Sequence, residues 1–261
     1  MYIMESRAET QRLLEQERVD EVRQALLLTG LKPGDDVLDA GCGPGLISET
    51  LAGVVGETGQ VLGIDLSEER LNEARQRCQG RPGLRFLRAD VRSTGLPDAA
   101  FDYTWSQYVF QYLPQRRPAL DELIRVTRPG GRVVVSEIDG FGLGNHPFPE
   151  RLRESCQLFV EGLGRTGFDL FVGRKLFHEF RQAGLLEVRV HVLPQYVVAG
   201  VADARVMEDW RTRFEALAPH IIPVFGSPAA YEVHCRDYLR MLADPDTLKY
   251  AVRLVTEGRR A

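Results

Sequence analysis

The sequence predicts an α/β protein built on a doubly wound, mostly parallel sheet. Three observations predict it. Short, solidly apolar runs alternate with helical segments between residues 31 and 140, as strands covered on both faces require. The first run ends in a loop with glycines at 41, 43 and 45 that opens into a helical pattern. Strand–helix–strand succession also implies right-handed crossovers and hence parallel pairing.

Each element follows from local pattern. Leu13, Leu14, Val19, Val22, Leu26 and Leu27 fall near helical spacing, which predicts a helix over 5–29. LKPGD at 31–35 breaks it. Residues 36–40 read as a buried strand, 46–55 as a helix, GETGQ at 56–60 as a turn and 61–65 as a second strand. Ser67 caps the helix SEERLNEARQRC, RPG at 81–83 ends it, and 84–89 is a third strand. A fourth strand over 101–106, a helix over 116–126, a turn at RPGG (128–131) and a fifth strand over 132–138 follow. GFGLGNHPFP at 140–149 reads as a loop. Beyond it come helices over 150–163 and 174–183, a β-branched strand over 188–198, helices over 202–218 and 228–243, and a last strand over 248–255 beside the 188–198 strand. No linker separates a second domain, so one domain is expected: a helical cap over 1–30, a core over 31–140, and lid helices with the last two strands over 141–261.

Bulk properties exclude several classes. Of 261 residues 44% are hydrophobic and 27% charged, an ordinary globular balance. The net charge of −4 and the shortness of the basic runs argue against nucleic acid as a partner. Cys42, Cys78, Cys156 and Cys235 lie far apart, so neither a metal site nor a disulfide framework is expected. The charged N-terminus and the lack of an apolar run of about 18 residues predict a cytoplasmic protein without a membrane span. A homodimer is compatible with all of this.

The chemistry concentrates at the first turn. Glycine at 41, 43 and 45 lets the backbone take positive φ and approach a ligand closely, and the following helix N-terminus favours an anion. The GxGxG spacing lacks the pattern of a dinucleotide fingerprint, and no GKS or GKT follows as in a phosphate loop. Asp39 lies two residues before the first glycine and either organises the loop or touches ligand. Asp65 ends the second strand, where a carboxylate accepts both hydrogen bonds of a ribose diol. Asp90, after the third strand, suits the exocyclic amine of a base.

The succession VLDAGCGPG, VLGIDLS, LRADVRSTGLPDAAFDYTWSQYVFQYLP and LDELIRVTRPGGRVVVSEID resembles the class I S-adenosylmethionine-dependent methyltransferases, in the style of the ubiquinone/menaquinone-biosynthesis and small-molecule natural-product branch. The resemblance implies a Rossmann-like sheet of seven strands in the order 3-2-1-4-5-7-6, with an antiparallel last strand. It implies S-adenosyl-L-methionine as cofactor. Gly41, Gly43 and Gly45 would line the methionine moiety, Asp65 the ribose with Leu66 against the adenine, and Asp90 the adenine amine with Val91 nearby. Ser106 and Gln107 would approach the methionine part, and Tyr2, Arg12 and Gln16 would close over the cofactor.

Catalytic candidates are less legible. His146 sits in the 140–149 segment near where acceptors enter, and histidine is the usual base near neutral pH. Glu137 and Asp139 end the fifth strand, and at most one is expected to face an acceptor; Tyr108 follows the fourth. His178 reads as structural, in an apolar helix, whereas His220 and His234 would border a pocket if the last helices form a lid. Methyl transfer to oxygen, nitrogen or carbon of a small molecule is the expected activity. Its rivals are a cofactor-binding enzyme of other chemistry such as cyclisation, a nicotinamide-dependent oxidoreductase, and a non-enzymatic binding subunit.

Overall fold

The computed structural model describes residues 19–261. Tyr2, Arg12, Gln16 and the first part of the predicted 5–29 helix lie outside the described residues. Helix α1 (Val19–Leu28) is followed by β1 (Asp36–Ala40), α2 (Leu46–Val55), β2 (Gln60–Asp65), α3 (Glu68–Arg77), β3 (Leu84–Arg88) and β4 (Phe101–Gln107). A 3-10 turn (Phe110–Tyr112), α4 (Arg117–Val126) and β5 (Thr127–His146) come next. The chain ends with α5 (Glu150–Arg165), α6 (Gly173–Gln182), β6 (Leu186–Ala199), α7 (Ala204–Phe225), α8 (Pro228–Leu242) and β7 (Leu248–Arg259).

The seven strands of the described residues form one sheet in the order β3-β2-β1-β4-β5-β7-β6. Pairing is parallel from β3 through β5, and β7 runs antiparallel between β5 and β6. The same order is found in the class the sequence resembles. The burial of β1 and β4 explains their unbroken apolar character: Val37, Leu38, Ala40, Tyr103 and Trp105 are all buried between helical layers.

Three apolar clusters organise the molecule. On one face, Val22, Ala25 and Leu26 of α1 and Ile47, Leu51 and Val55 of α2 cover Tyr103, Trp105, Val134, Leu193 and Val255. On the other, Leu120 and Leu123 of α4 and Leu176 and Phe180 of α6 cover Val133 and Val135. The third lies above the sheet's carboxyl end. There α5, α7 and α8 close on Ile138 and Ala251 through Leu152, Trp210, Phe214, Tyr231 and Tyr238. Each large side chain buried this way contributes about 1.5–3 kcal/mol relative to exposure.

Two expectations need correction. The 140–149 segment is not a loop: after an irregularity between Asp139 and Gly144, the strand resumes and pairs Gly144, Asn145 and His146 with Tyr250, Lys249 and Leu248. Glycine-rich composition concealed a bulged strand, a known use of glycine in sheets. His178 is exposed on α6 rather than packed in the core.

Candidate functional site

The carboxyl ends of β1, β2 and β3 form a cradle. The amides of Gly41 and Cys42 both donate to the Ile64 carbonyl, at 2.8 and 2.9 Å, and tie the glycine loop to β2. Gly41 has φ +83, and a Cβ there would come within 2.2 Å of Val109 Cγ2. Gly43 has φ +51, and a Cβ there would meet nothing within 4 Å. The first glycine is thus demanded by packing, while the second presents bare backbone to open space. Gly45, also at positive φ, packs against Ala74 of α3.

Asp65 links this loop to the next helix. Its Oδ2 accepts from the Gly43 amide at 3.0 Å and its Oδ1 from the Ser67 amide at 2.8 Å. Ser67 in turn caps α3 through the Arg70 amide. A carboxylate has about four acceptor positions, so further donors can still be taken. Leu66 is 56% exposed, an apolar surface next to Asp65. Asp90 accepts from the Arg92 amide and guanidinium, and that side chain holds its pKa below the usual range. Val91 beside it is buried.

Asp39 is buried beneath the loop, and its Oδ2 accepts from Ser48 Oγ at 2.5 Å. Burial pushes its pKa up to about 7, against the Ser48 hydrogen bond, which lowers it. It therefore braces the loop against α2. Burial likewise pushes the Cys42 thiol well up, which suits a space-filler rather than a nucleophile.

At the end of β4 the chain turns sharply. Ser106 is fully buried and its Oγ donates to the Ala40 carbonyl at 2.9 Å, which clasps β4 to β1. Gln107 is buried beside Ser136 of β5. Tyr108 has φ +57, a conformation that side chains rarely adopt, and its amide donates to the Ser136 carbonyl at 3.1 Å. Glu137, fully buried, receives the Val109 and Phe110 amides on Oε1 at 2.8 and 2.6 Å. Burial raises its pKa to about 8, partly countered by those amides. Glu137 therefore fixes the 3-10 turn that presses Val109 against Gly41.

The remaining candidates do not converge. Asp139 is engaged bidentately by the Arg174 guanidinium at 2.7 and 2.9 Å. His146 is exposed and sits in the β5–β7 ladder opposite Leu248. His220 is exposed on α7. His234 is buried in the lid, where Ser155 Oγ lies 2.8 Å from its Nδ1 and the Phe159 ring stacks on it. Burial lowers its pKa to about 4, so it stays neutral. Tyr108, by contrast, packs against the aromatic cluster of the lid.

Sequence reasoning missed Val109, which backs the glycine loop, and Tyr238, whose hydroxyl donates to the Gly142 carbonyl at 2.8 Å. It also passed over Ser136 and Arg253, two buried polar side chains that read as anonymous strand positions. The only sequence signal for Arg253 is a charge inside an apolar run.

Residues 38–135 match the family model described as a methyltransferase domain. An uncharacterized 37.1 kDa protein in transposon TN4556 of Streptomyces fradiae is 35% identical over 75% of this chain and 56% of its own length. The 2-phytyl-1,4-naphtoquinone methyltransferase of Nostoc sp. is 36% identical over 53% of this chain and 59% of its own. The chain thus spans little more than half the length of these curated relatives. In fold, the YcgJ protein of Bacillus subtilis superposes with a TM-score of 0.63 at 17% identity, over 94% of this chain and all of that one.

Proposed function

From the match of residues 38–135 to a methyltransferase domain, we propose S-adenosylmethionine-dependent methyl transfer to a small-molecule acceptor held between the sheet's carboxyl end and the helical lid. The observation that carries this reading is the cradle around Gly43. Bare backbone at positive φ faces open space there, beside a carboxylate and the half-exposed Leu66. Those residues fit the cofactor: the loop from Gly41 to Gly45 takes its methionine end, and Asp65 accepts from the ribose hydroxyls. Leu66 lies against the adenine, and Asp90 with Val91 borders its amine. Gln107 flanks the methionine part, and Ser106 fixes the strand end that carries it. Tyr2, Arg12 and Gln16 belong to the segment that would close over the bound cofactor.

When bound, S-adenosylmethionine supplies a methyl group already made electrophilic by the sulfonium charge. The chain's own task is alignment and exclusion of water. Glu137 and Val109 hold the loop geometry, and Tyr108 with the lid aromatics walls the acceptor side. Tyr108 is the group we assign to receive or orient the acceptor's proton, where the acceptor carries one. The quinone-directed relatives support methyl transfer over cyclisation.

Equilibrium dialysis against labelled S-adenosylmethionine tests the reading. The wild type should show saturable binding, and Asp65→Ala combined with Gly43→Val should weaken it at least tenfold. Full binding by that double variant would overturn it. Release of S-adenosylhomocysteine on turnover separates methyl transfer from a purely binding role.

A further inference from the structure

Two strands along the sheet from β4, Arg253 of β7 is 4% exposed. It faces Ile138 of β5 on one side and Leu193 of β6 on the other. Its Nη2 donates to the Glu21 carbonyl of α1 at 3.4 Å, and its Nε has no hydrogen-bond partner. No carboxylate of the described residues pairs with it. Glu257, on the same face of β7, is committed to Arg132 and His191. A buried guanidinium without a counter-charge is rare, because burial without pairing is costly.

Arg253 is not alone. Residues two apart on a strand share a face, so Ser136 and Ile138 point the same way, as do Arg253 and Val255. Ser136 pairs with Val255 and with Gln107, which places Ser136 diagonally across from Arg253. Such diagonal neighbours lie about 7–8 Å apart, within reach of a long side chain. Ser136 Oγ is fully buried and has no partner. Its hydroxyl can donate, as can the unmet guanidinium N–H of Arg253. Two neighbouring buried groups with hydrogens to spare, one permanently charged, are complementary to an anionic oxygen group.

Position assigns that anion to the acceptor rather than the donor. The glycine loop follows β1, and β7 is three strands away, about 14 Å at the usual strand spacing. From Gln107, at the end of β4, Arg253 is two strands across and two residues along, about 12 Å. Its neighbours Ile138 and Leu193 are apolar, and the aromatic lid cluster begins directly above, at Ile138 and Ala251. The surroundings describe an apolar body with one anionic end.

We propose that Arg253, with Ser136 Oγ, recognises a carboxylate or phosphate-ester group carried by the methyl acceptor. This rests on the methyltransferase reading. The test is calorimetric titration of the full chain, with and without S-adenosylhomocysteine, using trans-cinnamate, phenyl phosphate and the neutral cinnamamide. The wild type should bind one of the two anions at least tenfold more tightly than the amide, and which one it prefers distinguishes carboxylate from phosphate. Arg253→Met should abolish that preference, Arg253→Lys should keep part of it, and both should bind S-adenosylhomocysteine as the wild type does. If Arg253→Met does not fold, Ser136→Ala and Arg253→Lys, each weakening the preference severalfold, serve in its place. The proposal is overturned by equal affinity for amide and anions, by no binding of either anion, or by a preference that survives Arg253→Met. It is also overturned if Arg253→Met weakens S-adenosylhomocysteine tenfold, since the guanidinium would then serve the cofactor's own carboxylate. Failure of the wild type to bind S-adenosylhomocysteine would instead refute the methyltransferase reading, while the anion preference remains readable without it.

Discussion

Gly41 and Gly43 look alike in the sequence but answer to different neighbours. Alanine at 41 would drive its Cβ into Val109 at positive φ, so Gly41→Ala should cost about 2 kcal/mol or more of stability. Alanine at 43 meets no protein atom and should cost only about 1–2 kcal/mol, while raising the dissociation constant for S-adenosylmethionine at least tenfold. Thermal melts paired with dialysis separate the two, and a stability loss confined to Gly43→Ala would contradict the assignment. The glycine loop and the strand-end Asp65 were legible in the sequence as a tight strand-to-helix turn, because positive φ and close packing restrict residue type and position there. Glu137 was not legible as a brace. A carboxylate at a strand end reads as a catalyst, and only the structure reveals the two amides it receives. Since folding raises its pKa from 4.5 to about 8, the protonated form favours the folded state. The stability it contributes is complete below pH 4.5 and is lost as pH rises through about 8. Glu137→Gln keeps an acceptor for both amides and removes the titration, so urea melts of this variant should show a shallower decline between pH 5 and 8. An unchanged slope would exclude Glu137 as its source.

Among the elements, the lid and the strand beneath it depend on one another. Gly142 takes φ +80, and a Cβ there would lie 2.5 Å from Trp210 Cη2 and 2.6 Å from the Tyr238 hydroxyl. Gly142→Ala should therefore cost about 2–4 kcal/mol and loosen α7 and α8, read as faster amide exchange in those helices while α2 stays protected. Tyr238→Phe keeps the ring packing and removes the bond to the Gly142 carbonyl together with the hydroxyl's interactions with Asn145 and Tyr196, and should cost about 1–2 kcal/mol. Equal effects of the two variants would show that the hydroxyl, not the packing, is what matters. The helices of the lid could be read from their spacing. The strand extension at 144–146 could not, because its partner, the start of β7, lies a hundred residues away and its bulge is built from glycines.

Across the whole molecule, buried ionisable groups set opposing pH trends. The Arg125 side chain holds Glu122 down at about 2, and Asp90 and Asp102 are also lowered, so stability builds as pH rises out of strong acid. His234, lowered from 6.5 to about 4, contributes stability present above pH 6.5 and lost as pH falls through 4. Asp39 and Glu137, raised to about 7 and 8, act the other way and withdraw stability as pH climbs. The melting temperature should therefore peak in mild acid, near pH 5–6, and fall by pH 8 at constant ionic strength, as scanning calorimetry would record. A melting temperature still rising at pH 8 would contradict this balance. Alternating strands and helices made the parallel, doubly wound core legible, the strand order followed from the family resemblance, and the acceptor side depends on contacts between distant residues that no local pattern encodes. Ala199 and Leu248 are direct cross-strand partners, so the α7–α8 pair leaves the sheet and rejoins it at one rung of the β6–β7 ladder. That makes the roof an interchangeable cassette: a different helical pair grafted between these two rungs would reshape the space above the sheet without re-threading it or disturbing the glycine loop.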